Sequence, residues 1–258
     1  MIPKLNFEVA PLKHYLRYIH FFLNPEEGAW DWGNSLLRQY PLLGEKLKDV
    51  KDREKRIEIT SCFFEETEKN EMHKMQEQKE KFQKIWDKIN DRALESLSDV
   101  AEVEWGKGDT NIKGFVTLNT YCPRDLKRRN FDVFYGFDNK YMKKVCFHEI
   151  FHFIYFEKWK EVFPKISEKK FKMPNLVWVL SEMAPGIALK DYRIQDVFGH
   201  EPATYGIFKT AIIKGKPLLG YIQKFYDKKR DFADFLRKSW VFTQENEKEI
   251  KQLFYRKG

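Results

Sequence analysis

An α+β fold is predicted by the order of segments along this 258-residue chain. Helical patterns fill most of the first hundred residues, β-rich segments occupy the middle, and apolar helices follow to the end. Strands and helices do not alternate one for one, as a parallel βαβ sheet would require.

Residues 9 to 23 and 28 to 42 read as two helices, punctuated by Asn24, Pro25 and Gly28. RIEITSCFF (56 to 64) alternates and is rich in β-formers, which predicts a strand. From Glu65 to about Leu97 there is neither Pro nor Gly, and Met72, Met75, Phe82, Ile85, Trp86 and Ile89 form an apolar stripe, predicting one long helix. EVEWGKGDTNIKGFVTLNTYCPR then offers a strand to about Trp105, a Gly/Asp turn and a second strand near 112 to 121. FDVFYGF (131 to 137) adds another, so the expected sheet is small and mainly antiparallel. A helix capped by Asp138 or Asn139 runs to about Phe163, where Pro164 helps end it. Pro174 and Asn175 introduce an apolar helix, LVWVLSEMAPGIAL, and from about Val197 to Tyr255 come three or four helical pieces broken near Gly215 to Pro217. We expect one domain over 1–258, with N-terminal helices to residue 55, the long helix, sheet and next helix over 56–163, and a helical part over 164–258.

With 42% hydrophobic and 16% aromatic residues, the chain has enough apolar material for a core and is not of disordered composition. No apolar run approaches the roughly 20 residues that cross a bilayer, so no membrane partner is expected. The first residues lack the apolar core of a secretory signal, and the expected compartment is the cytoplasm. Cys62, Cys122 and Cys146 follow no metal or redox spacing, in keeping with a reducing interior. The net charge of +8 is spread over lysines interleaved with Glu and Asp, without an RNA-recognition signature, zinc-finger spacing or phosphate loop. Nucleic acid is therefore not indicated beyond the basic balance itself.

The chemistry lies in FHEIFHFIYF (147 to 156), where His148, Glu149 and His152 spell H-E-x-x-H inside an apolar helix. Residues four apart share a helix face, so both imidazoles can address one ion. Glu149 lies about 100° around the helix, placed for a water on that ion. This is the arrangement of a hydrolytic Zn2+ site, in which the carboxylate takes the proton of an activated water. A core helix burying two hydrogen-bonded histidines is the plain alternative, but burying three ionisable groups uncompensated costs several kcal/mol. A catalytic zinc takes three protein ligands. The continuation H-x-x-G-x-x-H is absent, with Tyr155 and Lys158 at its Gly and His positions. Glu182, the one acid of LVWVLSEMAPGIAL, is the expected third ligand, because a carboxylate in such a run needs a partner. Glu157, Glu161, Glu168 and Asp191 are poorer candidates, lying off the histidine face or in charged or terminal surroundings.

These residues resemble the zincin metallopeptidases, and among them the gluzincin type, in which H-E-x-x-H is followed on a later helix by Glu. The resemblance covers about 112 to 190. It implies a zincin-like fold with the sheet packed on the H-E-x-x-H helix, His148, His152 and Glu182 as zinc ligands, and Glu149 as general base. It also implies that a strand near GFVTLNTY or FDVFYGF lines the cleft, where it could pair with an extended peptide. The sequence departs from the pattern at Ser181, before the third ligand, and at Gly186, where that family carries Asp; the aminopeptidase G-x-M-E-N signature is absent.

Such sites add a Tyr or His donor for the oxyanion, and GHEPATYGIF offers His200 and Tyr205. Asn119 and Tyr121 share a predicted strand face and are candidate cleft residues. His14, His20 and His73 read as surface or packing residues, and Cys146, about 200° around the helix from His148, as core. The function expected is a zinc-dependent peptidase. The alternatives are a non-catalytic metal-containing regulatory or interaction protein, and a zinc hydrolase of a non-peptide amide or ester.

Overall fold

The computed structural model describes residues 2–24, 33–106 and 111–255. The chain opens with strand β1 (Lys4–Val9) and helices α1 (Leu12–Leu23), α2 (Gly33–Gln39) and α3 (Pro41–Leu47). Helices α4 (Arg53–Asp87) and α5 (Asn90–Ala101) lead to strands β2 (Asn111–Thr117), β3 (Arg124–Asp125) and β4 (Asn130–Phe134). Helices α6 (Asn139–Val162), α7 (Leu176–Met183), α8 (Pro185–Ala188), α9 (Tyr192–Phe198) and α10 (Gly206–Thr210) follow. A minimal hairpin of β5 (Ile212–Ile213) and β6 (Lys216–Pro217) precedes α11 (Leu218–Asp227), α12 (Phe232–Glu245) and α13 (Glu247–Tyr255). The fold is α+β, as the sequence predicts. No helix among the described residues is long and apolar enough to cross a membrane.

The chain divides into two compact units, each assembled from separate stretches: Leu5–Lys88 with Asn111–Met142, and Met1–Lys4 with Ile89–Thr110 and Lys143–Gly258. The first unit holds the sheet, in the order β1-β2-β4-β3. β2 and β4 run parallel, β3 and β4 antiparallel. Asn6 meets Asn111, Glu8 pairs with Lys113 and the Ala10 N–H donates to Val116 O, so β1 and β2 also advance in the same direction. The sheet is thus mixed and mostly parallel, which corrects the antiparallel expectation. The predicted hairpin needed a strand up to Trp105. Residues 103–106 instead form no regular element, and the Trp105 indole N–H donates to Leu94 O; the Gly/Asp turn at 107–110 lies outside the described residues.

The start of the chain is a strand because Leu5 and Phe7 alternate with Lys4, Asn6 and Glu8, burying one face. The helix expected from residue 9 begins only at Leu12; the one expected over 28 to 42 splits at Tyr40 into α2 and α3, and its first five residues lie outside the described ones. The free side of β1 is covered by one side chain of α4: the Phe7 N–H donates to Gln83 Oε1, and Gln83 Nε2 donates to Leu5 O. That amide does for β1 what a neighbouring strand would do, and so blunts the edge.

RIEITSCFF, predicted as a strand, lies inside α4. Asp52 caps this helix by accepting from the Lys55 N–H, and Thr60, Phe64, Met75, Phe82 and Trp86 are its buried residues. Their spacing is helical, and the β-branched residues among RIEITSCFF yield to it. Arg56 shows what the helix start secures. Its guanidinium donates to Leu23 O at the end of α1, to Leu47 O and Val50 O around the end of α3, and to Asn24 Oδ1. One cation thereby satisfies carbonyls at two helix C-termini, where its charge also opposes the helix dipoles. The predicted long helix does not run on to Leu97. It stops at Asp87 without Pro or Gly, and α5 restarts at Asn90, a buried residue whose Nδ2 donates to Pro3 O.

In the second unit, α6 and α7 are buried on all sides: every residue from Val145 to Phe156 and from Leu176 to Leu189 is inside. Aromatic pairs hold them, with Phe147 stacked on Phe198 at 4.7 Å, Phe156 on Phe171 at 4.4 Å and Trp159 edge-on to Trp240 at 5.3 Å between ring centres. Glu102, at φ 54, closes α5, accepts the Phe232 N–H at the start of α12 through Oε1, and receives Lys158 Nζ from α6 on its carbonyl.

Replacing Arg56 by Met should lower unfolding free energy by about 2–4 kcal/mol, since carbonyls at both helix ends lose a charged donor together. Urea denaturation of the full chain measures this, and a change within about 0.5 kcal/mol would contradict the role given to the guanidinium.

Candidate metal centre

Helix α6 begins where Asp138, one of the two caps the sequence offers, accepts the Tyr141 N–H on Oδ1 at 2.6 Å, and Pro164 follows its last turn. This fixes His148 and His152 one turn apart in the middle of the helix, their ring centres 4.8 Å from each other. Glu182 arrives from α7, whose eight residues are all buried. His148 is 7% exposed, His152 0% and Glu182 1%.

A single carboxylate oxygen, Glu182 Oε2, lies 3.3 Å from His148 Nε2 and 3.7 Å from His152 Nε2. The ligand atoms of the three residues fall within 4.8 Å of one another, the one such cluster of His, Cys, Asp and Glu among the described residues. Atoms about 2.1 Å from one zinc at tetrahedral angles are about 3.4 Å apart, so the two Glu–His separations fit a shared ion. As hydrogen bonds they are long, since N–H···O contacts centre on about 2.9–3.0 Å. A proton shared with one imidazole would also answer only one of the two facing nitrogens. The donor set, two imidazoles and one carboxylate, suits a divalent ion of zinc's character. Glu149 is buried at 7% exposure on the same turn as His148 and stands apart from the three converging groups.

No family model matches the chain, and neither a curated protein nor a solved structure matches it. The case for a metal centre therefore rests on the side chains themselves.

The other acids considered from the sequence are engaged elsewhere. Glu157 and Glu168 pair with Lys160, Glu161 with Lys158, and Asp191 with Arg193. Asp191 also accepts from the Tyr226 hydroxyl, and these donors outweigh its burial to hold its carboxyl down at about 2. Cys146 is fully buried, and burial followed by the Glu149 charge pushes its thiol well above the usual range, which leaves it a core residue.

His200 and Tyr205 sit between α9 and α10, both half-buried and both outside the three-residue cluster. The His200 ring meets Phe198 at 5.6 Å and its carbonyl accepts from Gln195 Nε2, while Tyr205 caps α10 with its ring against Phe208. Asn119 and Tyr121 are not on a strand face, because β2 ends at Thr117. Asn119 Oδ1 accepts the Tyr121 N–H, closing a local turn in the sheet unit, and the Tyr121 ring packs on Phe22. Of the strands nominated for peptide pairing, β2 lies between β1 and β4, and β4 lies between β2 and the two-residue β3, which pairs with Asn130 and Phe131.

Three residues escaped the sequence reading. His14, which reads as a surface or packing residue, holds Asp132 at 2.8 Å in the sheet unit, where burial raises that carboxyl and His14 opposes the rise. Thr204 places its hydroxyl where a β-carbon on Gly186 would go, one turn beyond Glu182. Its signal was the glycine itself, standing in a run of larger residues. Tyr155, on the turn after His152, is 0% exposed, and burial together with the Glu182 charge pushes its phenol well above the usual range.

Two outcomes are expected. His148→Ala and Glu182→Ala should each abolish stoichiometric zinc measured by elemental analysis of purified protein, and full retention by either would remove that residue from the ligand set. Gly186→Ala should destabilise by about 1–3 kcal/mol through overpacking, and adding Thr204→Ala should recover most of the loss in a double-mutant cycle.

Proposed function

We propose that this protein is a zinc-dependent hydrolase of the gluzincin type, with a peptide bond as its leading substrate. The observation that carries the reading is the convergence of Glu182 Oε2 on the Nε2 atoms of His148 and His152, on two neighbouring buried helices. Zinc held there would supply Lewis acidity, polarising a carbonyl and making water a nucleophile near neutral pH. Glu149, one residue from a ligand and turned about 100° away from it, would accept the proton of the attacking water and return it to the leaving amine. Its apolar neighbours Phe147, Ile150, Phe151 and Phe153 keep the helix dry, which strengthens every electrostatic contact made there. Tyr205 and His200, on the segment after the Glu182 helix, are the proposed donors to the oxyanion.

The near-complete burial of the three residues favours a second reading, a structural metal in a regulatory or interaction protein. Structural zinc is four-coordinate in protein ligands, whereas three converge here among the described residues, the number that leaves a position for chemistry. Non-peptide amides and esters suit the same groups and are separated from peptides by substrate profiling.

Glu149→Gln decides between catalysis and structure. It should keep one zinc per chain and lower hydrolysis of a peptide library about 10²–10⁴-fold, the usual contribution of a general base. Retained hydrolysis in that variant would remove Glu149 from the mechanism. A wild-type holoprotein that cleaves neither peptides nor simple amides and esters would establish the structural reading.

A further inference from the structure

The Tyr155 hydroxyl has no hydrogen-bond partner among the described residues, although the side chain is fully buried. An unsatisfied buried hydroxyl is costly to a fold. Nothing in the packing calls for it, since the ring lies among Phe151, Phe156 and Trp159, where a phenylalanine would fill the same space. What distinguishes the position is its neighbourhood. Tyr155 follows His152 by three residues on α6, so it sits on the adjoining turn of the ligand face. It is also near enough to Glu182 for that carboxylate to act on the phenol. Glu182 meanwhile turns Oε2 toward the two imidazoles.

We propose that Tyr155 is a positioning residue of the metal centre, donating its hydroxyl hydrogen bond to the Glu182 carboxylate when a divalent cation occupies the His148–His152–Glu182 cluster. The inference rests on the metal-centre reading above. Metal ligands are held in orientation by outer hydrogen bonds of this kind, and their loss weakens binding about 10–100-fold. The hydroxyl is a burden to the metal-free protein and a support to the metal-bound one. That opposition separates positioning from mere packing, because a packing residue would affect both forms alike.

The test is Tyr155→Phe in the full-length chain, with two measurements beside wild type: zinc affinity by chelator competition, and melting temperature of the metal-free protein. Affinity should fall at least tenfold while the metal-free melting temperature stays equal or rises. The absorption spectrum of the cobalt-substituted variant should shift as the coordination changes. Unchanged zinc affinity and cobalt spectrum would overturn the role of Tyr155 and leave the metal centre standing. Affinity and metal-free stability falling together would show a packing residue and overturn it as well. A wild-type protein that binds no zinc would overturn the metal centre itself, and the proposal with it.

Discussion

Glu182 aims one oxygen between the imidazoles of His148 and His152 in a region almost wholly withdrawn from solvent. Each of these groups, brought alone into such surroundings, would cost several kcal/mol. An ion pair between Glu182 and one histidine would recover part of that cost and still leave a second imidazole facing the same oxygen. Buried ion pairs often do no better than break even. A divalent cation changes the balance, because one charge answers two nitrogens and a carboxylate together. The surrounding helices must then keep three atoms near one point, against the tendency of polar side chains to seek solvent.

The second unit is organised to do this. α6 and α7 have no wet face through the ligand turns, so neither can rotate to expose a ligand without tearing aromatic contacts such as Phe147 on Phe198 or Phe156 on Phe171. Thr204 closes over Gly186 four residues past Glu182, which leaves α8, the short helix that follows the carboxylate's own, no room for a bulkier residue there. Rigid placement of this kind is what a coordination site requires, since errors of half an ångström already degrade it. The sheet unit has its own polar pair, the half-buried His14 with the buried Asp132, and its own cationic clasp in Arg56. These belong to the integrity of that unit.

The site was more legible in the sequence than the scaffold. H-E-x-x-H announces itself by a spacing that matches one helical turn, and Glu182 by being an acid in a run that otherwise avoids charge. Both signals are local. The sheet was harder because strand pairing is not a local property: nothing in NIKGFVT says that its partners lie on either side and run the same way. RIEITSCFF carries β-branched residues yet helps start a helix of 35 residues, an override of propensity by packing at helical intervals. The break after Asp87 had no Pro or Gly to mark it; the buried amide of Asn90 marks the restart, and a hydrogen bond to the distant Pro3 is invisible in a linear reading. Tyr155 was missed for a related reason. In the sequence it is only the residue in place of a glycine, and neither the burial of its hydroxyl nor the reach of the Glu182 charge is visible there.

The arrangement of the chain has a consequence for assembly. Each unit is stitched from stretches far apart in sequence, so completing either core closes long loops, which makes for slow folding. The His148–Glu182 contact, by contrast, spans only 34 positions and lies wholly within one stretch of its unit, Lys143–Gly258. Closing a loop of that length is entropically modest. A loop of that length closes more readily than those that complete either unit, and an ion bound to these residues early would act as a temporary staple joining α6 to α7 while the rest of the unit gathers around it. The same locality would temper the stabilisation from a bound ion at equilibrium, because a partly unfolded chain would retain some hold on it.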